Sequence, residues 1–254
     1  IIDPSGDAGM HLWEVDGTDH LVQQWFYFRV GDTDPERPIN DLNLVGFNTA
    51  DDLTADPRDD VAVIRYDGSN LTGGAATYQI TLTFELTGGS SGSSQSSVVE
   101  LIEIDNLTGN TISDFNFFQY ADFDLAGTPD NDSAYITDDG GLNNTAVQND
   151  PATGIRQLTS VLPSPFNYDV DAIDTVDDIL PKLTDASPDV PSLNGATGPI
   201  SEVNASWAFQ WNFDIAGQST AQISKTKLIV PEPASVVLLG LGGMLMLRPR
   251  RESP

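Results

Sequence analysis

Carboxylates dominate the side chains in this sequence that could do chemistry. Thirty-eight Asp and Glu stand against eleven Lys and Arg, with two His and no Cys. No thiolate nucleophile is available, and no G-x-S-x-G elbow presents a serine. His11 and His20, the only imidazoles, lie nine residues apart in or beside strand patterns. They read as surface or hairpin residues rather than as a metal pair or a catalytic base. Glycoside hydrolysis needs only two carboxyl groups, but the separation that matters is spatial, and so many acids single out no pair. Calcium is the chemistry the acids match best. Asp130-Asn131-Asp132-Ser133 and Asp138-Asp139 put hard oxygen ligands on turns around a short strand. Asp130, Asp132, Asp138 and Asp139 are therefore the candidate calcium ligands. A solvated turn competes with that reading, because Asp and Asn favour turns for backbone reasons and neither segment completes an EF-hand loop.

Positioning any such group falls to strands. From Val203 to Ile215 apolar and polar residues alternate, with Trp207, Phe209, Trp211 and Phe213 on one side. That is a half-buried strand whose aromatic row belongs in a sheet core rather than on a sugar-stacking platform. Thr77 to Leu86 repeats the period, with Tyr78, Ile80, Leu82, Phe84 and Leu86 on one face. Further strands are expected over 11–15, 21–30, 42–48, 61–66, 98–104, 112–120, 134–137, 155–161 and 222–230, punctuated by Asp-Gly, Asn and Pro. One helix is expected: Val170, Ile173, Val176, Ile179, Leu180 and Leu183 share a helical face behind Asp169 as N-cap, with Pro181 ending or kinking it. The Gly/Ser-rich stretch 87–97 reads as a long mobile hairpin loop. Together these features predict a mainly β fold, an antiparallel β-sandwich or jelly roll with one short helix, over an acidic body of residues 1–229.

The net charge of -27 repels polyanions, so no nucleic-acid partner is expected. The composition suits a protein kept soluble outside the cell.

The end of the chain differs from the body. Residues 230–254 run Val230-Pro231-Glu232-Pro233, then fourteen uncharged residues from Ala234 to Leu247, then Arg248-Pro249-Arg250-Arg251. As a helix the apolar stretch would be about 21 Å long, short of the ~30 Å of a bilayer core. Its glycines weaken it further. Such a tail helix suits transient rather than permanent anchoring. Arg248, Arg250 and Arg251 form a basic cluster of the kind retained on the cytoplasmic side, which leaves the body outside. The order of motif, apolar stretch and arginines resembles the PEP-CTERM sorting domain of exported bacterial proteins. The resemblance covers about the last tenth of the chain. It implies an exosortase as a transient partner, cleavage near Val230, Pro231, Glu232 and Pro233, transient inner-membrane anchoring, and association with exopolysaccharide and biofilm at the cell surface or in the extracellular matrix.

A non-catalytic structural or adhesive protein is the leading expectation. A secreted carbohydrate-binding module, calcium-dependent or not, is the alternative, and a secreted glycan hydrolase follows behind.

Overall fold

A computed structural model describes residues 1–6, 9–51, 59–137, 141–185, 187 and 193–232. Sixteen strands and two short helices are present among them. The strands are β1 (Glu14–Val15), β2 (Thr18–Asp19), β3 (Gln23–Val30), β4 (Arg37–Pro38), β5 (Asn43–Ala50), β6 (Val61–Asp67), β7 (Tyr78–Gly88) and β8 (Ser96–Asn106). They continue as β9 (Ile112–Asp122), β10 (Asp132–Thr137), β11 (Thr145–Asp150), β12 (Ile155–Leu162), β13 (Asn167–Ala172), β14 (Ile200–Val203), β15 (Ala205–Ile215) and β16 (Thr220–Pro231). The helices are α1 (Ser69–Thr72) and α2 (Ile179–Thr184).

The strands form two main antiparallel sheets. The larger has nine strands in the order β14-β10-β11-β12-β16-β8-β7-β6-β5; the smaller has five, β13-β15-β9-β3-β4. A sandwich is what the alternating strands called for, and it is present. Phe26 and Phe117 stack within the small sheet, and Phe26 meets Phe84 of the large one at 6.3 Å between centroids. Across the same interface Gln24 donates to Glu100 and Lys225 to Gln119, so these polar groups face one another between the sheets.

The outer face of the small sheet is covered over most of its area, the end of β15 at Asn212 and Asp214 remaining exposed. Alternation turns Trp25, Tyr27, Phe118, Tyr120 and Gln210 away from the large sheet, yet all are buried. A third, mostly irregular layer covers them. Here α2 packs on β4, β13 and β15, and the Ile39–Asp41 turn packs on β3. Gly9 (φ +58°) lies so close to Trp25 that a β-carbon would stand 1.7 Å from the indole, which only glycine permits.

Three local expectations need correction. The helix predicted behind Asp169 is two elements. Residues 167–172 form edge strand β13, with Val170 opposite Trp207, and only Ile179–Thr184 is helical, capped by Asp178 accepting from Leu180 N. Sheet pairing outweighs the helical spacing of the apolar residues. Pro181 occupies the first turn, where a missing N–H has no intrahelical acceptor to lose. The loop at 87–97 is shorter than expected, because Thr87 pairs with Ser97 and Gly88 with Ser96. It is also tied down: Gly92 N and Ser94 N each donate to Asp16 at 2.8 Å. Finally, β16 runs one residue past Val230. Pro231 lies opposite Ile155, and Glu232 N donates to Gly154 O at 2.5 Å. By that point β8 has ended, since Ser96 pairs with Ile229. The proline therefore has a ladder on one side only, which its missing N–H allows.

The predicted tail helix, with Pro233, Ala234 to Leu247, Arg248, Arg250 and Arg251, lies outside the described residues. Among the described residues no helix is long and apolar enough to cross a membrane.

Candidate functional site

The sheets are unequal, and the inner face of β5, β6 and the adjoining end of β7 extends beyond the smaller one. A groove opens there. Its floor is Met10, Trp13, Phe47, Phe84 and Val98, its rim carries Glu14, Asp59 and Asp60, and its volume is about 450 Å³. A second lobe of about 260 Å³ shares Glu14, Asp59, Asp60 and Leu86 and adds Asp16, Gly89, Ser90, Gln95 and Ser96.

The alternation of β5 and β7 supplies the apolar floor. Phe47 pairs with Ile64 and Phe84 with Ala62, so these side chains share one face. With no second sheet above it, Phe47 remains 45% exposed. Trp13 is fixed by its Nε1 donating to Ser96 Oγ at 3.0 Å. On the rim, Thr49 Oγ1 donates to Asp59. The groove thus offers one exposed aromatic ring, an apolar floor and a row of hydrogen-bond acceptors. No lysine or arginine lines either lobe among the described residues.

Acids with raised affinity for protons are found elsewhere. Burial pushes Asp132 up to about 7, with Asp150 and Asp124 adding repulsion against bonds from Gln148 and Leu125 N that favour the charged form. Its Oδ2 accepts from Leu125 N at 3.3 Å and Gln148 Nε2 at 2.5 Å, while Oδ1 is buried without a partner among the described residues. Asp122 is pushed up to about 7 by burial, then by Asp124, Asp178 and Asp132. Asp132 is fully buried and Asp122 nearly so, so neither meets a substrate in the groove.

Of the calcium candidates, Asp130 is exposed and Asp132 points inward, while Asp138 and Asp139 lie outside the described residues. Among the described residues no three His, Asp or Glu side chains are grouped to hold a metal ion. His20 is buried, its Nδ1 accepting from Ala126 N at 3.0 Å. Burial lowers its proton affinity, as suits a neutral core imidazole. His11 is half-buried beside Gly9 O. Trp207, Phe209 and Trp211 are buried as the alternation predicted, and Trp211 Nε1 donates to Pro163 O. They form no platform. Of the cleavage motif, Val230 is half-buried and Pro231 and Glu232 are exposed.

The groove and the buried acids were not legible in the sequence. The groove depends on which sheet outgrows the other. Asp122, between Ala121 and Phe123, carried a weak signal; Asp132, between Asn131 and Ser133, carried none.

No family model matches the chain, and no curated protein matches it. Among solved structures, a bacterial glucoamylase complexed with acarbose superimposes with a TM-score of 0.58 over 91% of this chain, at 11% identity. The likeness is one of fold alone. The chain spans 30% of that glucoamylase. A putative kojibiose phosphorylase from the human microbiome overlaps 96% of this chain and 28% of its own, at 9% identity and a TM-score of 0.42.

Proposed function

We propose that the protein is an exported, non-catalytic component of the bacterial cell surface or extracellular matrix, sorted through its C-terminal segment by an exosortase. The observation that carries this reading is the position of Pro231 and Glu232, the described part of the Pro-Glu-Pro motif. Among the described residues the last strand ends at Pro231 and the Glu232 amide makes the last backbone contact, and both residues are exposed. A processing enzyme meets the chain there at the exposed end of a strand, where β12 is the one remaining ladder neighbour among the described residues. Beyond it the sequence turns apolar and then basic, the order that holds a segment in the inner membrane with its arginines in the cytoplasm. Intact-mass measurement of the protein recovered from the extracellular fraction of its native cells tests this. The expected species ends near Pro231 to Pro233; one that retains Arg250 and Arg251 overturns the reading.

The groove favours a second role for the body, the holding of a polysaccharide. A half-exposed phenyl ring on an apolar floor with acceptors along the rim suits a sugar, whose ring faces stack and whose hydroxyls donate. Acidic rims on a chain of charge -27 select a neutral glycan over an anionic one. Sharing its fold with part of a glucoamylase is compatible with this role. Electrophoresis through gels cast with the producer's own exopolysaccharide is expected to retard the protein, and Phe47→Ala is expected to abolish the retardation. Equal mobility of the two would reject the groove as the binding face.

A further inference from the structure

Between the centres of the two sheets lies a group of side chains that neither export nor sugar binding uses. Lys225 and Lys227 of β16 and Glu100 of β8 are each no more than 1% exposed, and both lysines pair with the one carboxylate. Facing them from the small sheet are Gln24, Gln119 and Phe26. Gln24 Nε2 donates to Glu100 Oε1 at 3.0 Å, Lys225 Nζ donates to Gln119 Oε1 at 2.6 Å, and Nζ stands 4.4 Å from the centre of the Phe26 ring. The carboxamide nitrogen of Gln119 is buried and has no hydrogen-bond partner among the described residues.

This group holds two cations and one anion in a core that solvates neither, so one lysine is better off neutral. Burial lowers the proton affinity of Lys225, and the charge of Lys227 lowers it further against the pull of Glu100. Loss of one proton leaves Glu100 and Lys227 as a balanced pair. It also leaves Lys225 as a free amine against a carboxamide, with a buried carboxylate in contact with that amine. Those are the components of an amide exchange.

We propose that Lys225 and Gln119 form an intramolecular isopeptide cross-link between the two sheets, with Glu100 as the proton carrier. The Lys225 Nζ lone pair attacks Cδ of Gln119. Glu100 takes a proton from the attacking nitrogen and delivers it to Nε2, which leaves as ammonia. One C–N bond forms and one breaks, and no oxidant or co-reactant is needed. Nε2 is held by no competing hydrogen bond, and exclusion of water protects the intermediate from hydrolysis. Fixed approach of amine and amide supplies the effective concentration that makes an otherwise slow exchange accessible. Gln24 acts as a positioning residue through its bond to Glu100.

Mass spectrometry of the full chain tests this. The denatured wild-type protein is expected to weigh less than its sequence by one ammonia. Trypsin is expected not to cut after Lys225, and to release a branched peptide joining residues 66–156 to the segment that contains Lys225. Gln119→Met removes the acyl donor and leaves the charged trio in place. It is expected to show its full sequence mass, normal cleavage after Lys225 and a lower melting temperature than wild type. Should that variant fail to fold, the wild-type peptide map decides alone. Full sequence mass in folded wild-type protein after prolonged incubation, with cleavage after Lys225, overturns the proposal. A loss of ammonia mapping to the Asn194-Gly195 step instead of Lys225 does the same.

Discussion

Substitution of Asp132 by Asn should stabilise the protein at neutral and alkaline pH while leaving it unchanged in acid. Asp132 is fully buried, its Oδ2 is bonded to Leu125 N and Gln148 Nε2, and its Oδ1 meets no donor among the described residues. Asparagine reproduces the shape and hydrogen bonding of the protonated acid. The folded carboxyl holds its proton up to about 7 against an ordinary value of 3.8. Because the folded value is the higher one, the folded state binds more protons between those limits. Stability from this group is therefore complete below about pH 4, falls as pH rises toward 7, and stays low above that. At ~1.4 kcal/mol per pH unit the full span is worth roughly 4 kcal/mol, and local relaxation should leave about half of it. Urea unfolding of both proteins at pH 4, 6 and 8 is the assay. The expected difference is near zero at pH 4 and about 2 kcal/mol in favour of Asp132→Asn at pH 8. A difference that does not change with pH would refute the reasoning, because it would mean that Asp132 is ionised in the folded protein throughout.

Phe209→Ala should cost about 3–5 kcal/mol in urea unfolding, the range for emptying a buried aromatic site, since Phe209 is fully buried between Trp207 and Trp211. A loss under 1 kcal/mol would place that row at the surface. Lys182→Met removes the cation that meets Asp169 Oδ2 at 3.2 Å and leaves a carboxylate 1% exposed with only the Asn194 amide on that oxygen. About 2 kcal/mol of destabilisation is expected, less than for a fully buried pair because Lys182 is partly exposed. An unchanged urea midpoint would show that Asp169 needs no cation. Asp16→Ala should release the β7–β8 turn, read as faster hydrogen exchange at the Gly92 and Ser94 amides that now donate to it. Unaltered exchange would show that the turn holds itself.

Period-two patterning made the sandwich legible wherever one face was apolar and the other polar, as in β7 and β15. It failed where the inward face is itself polar. Strand β11 turns Ala146, Gln148 and Asp150 inward, all fully buried, so its sequence carries no alternation to read. The same applies to Lys225 and Lys227. They occupy the apolar phase of β16 between Ile223 and Ile229, and charged residues in that phase are the signal that marks a buried ionic group. Strand β13 does alternate, Tyr168, Val170 and Ala172 against Asn167, Asp169 and Asp171, but it is short, and Val170 also starts the helical spacing that continues through Ile173, Val176 and Ile179, so the run fits either period. The groove had no sequence signal, since it exists only because one sheet is wider than the other.

The place of β16 has a consequence for the order in which the chain can fold. In the nine-stranded sheet β16 sits between β12 and β8 and, among the described strands, joins a four-strand block β14-β10-β11-β12 to a four-strand block β8-β7-β6-β5. A chain delivered from its N-terminus can pair β5 through β8 as it emerges, but the two halves of the wall stay apart until residues 220–231 arrive. Completion of the fold is thereby timed to the arrival of the Pro-Glu-Pro segment. A chain halted anywhere earlier keeps that wall in two pieces, each with an exposed edge at β12 or β8.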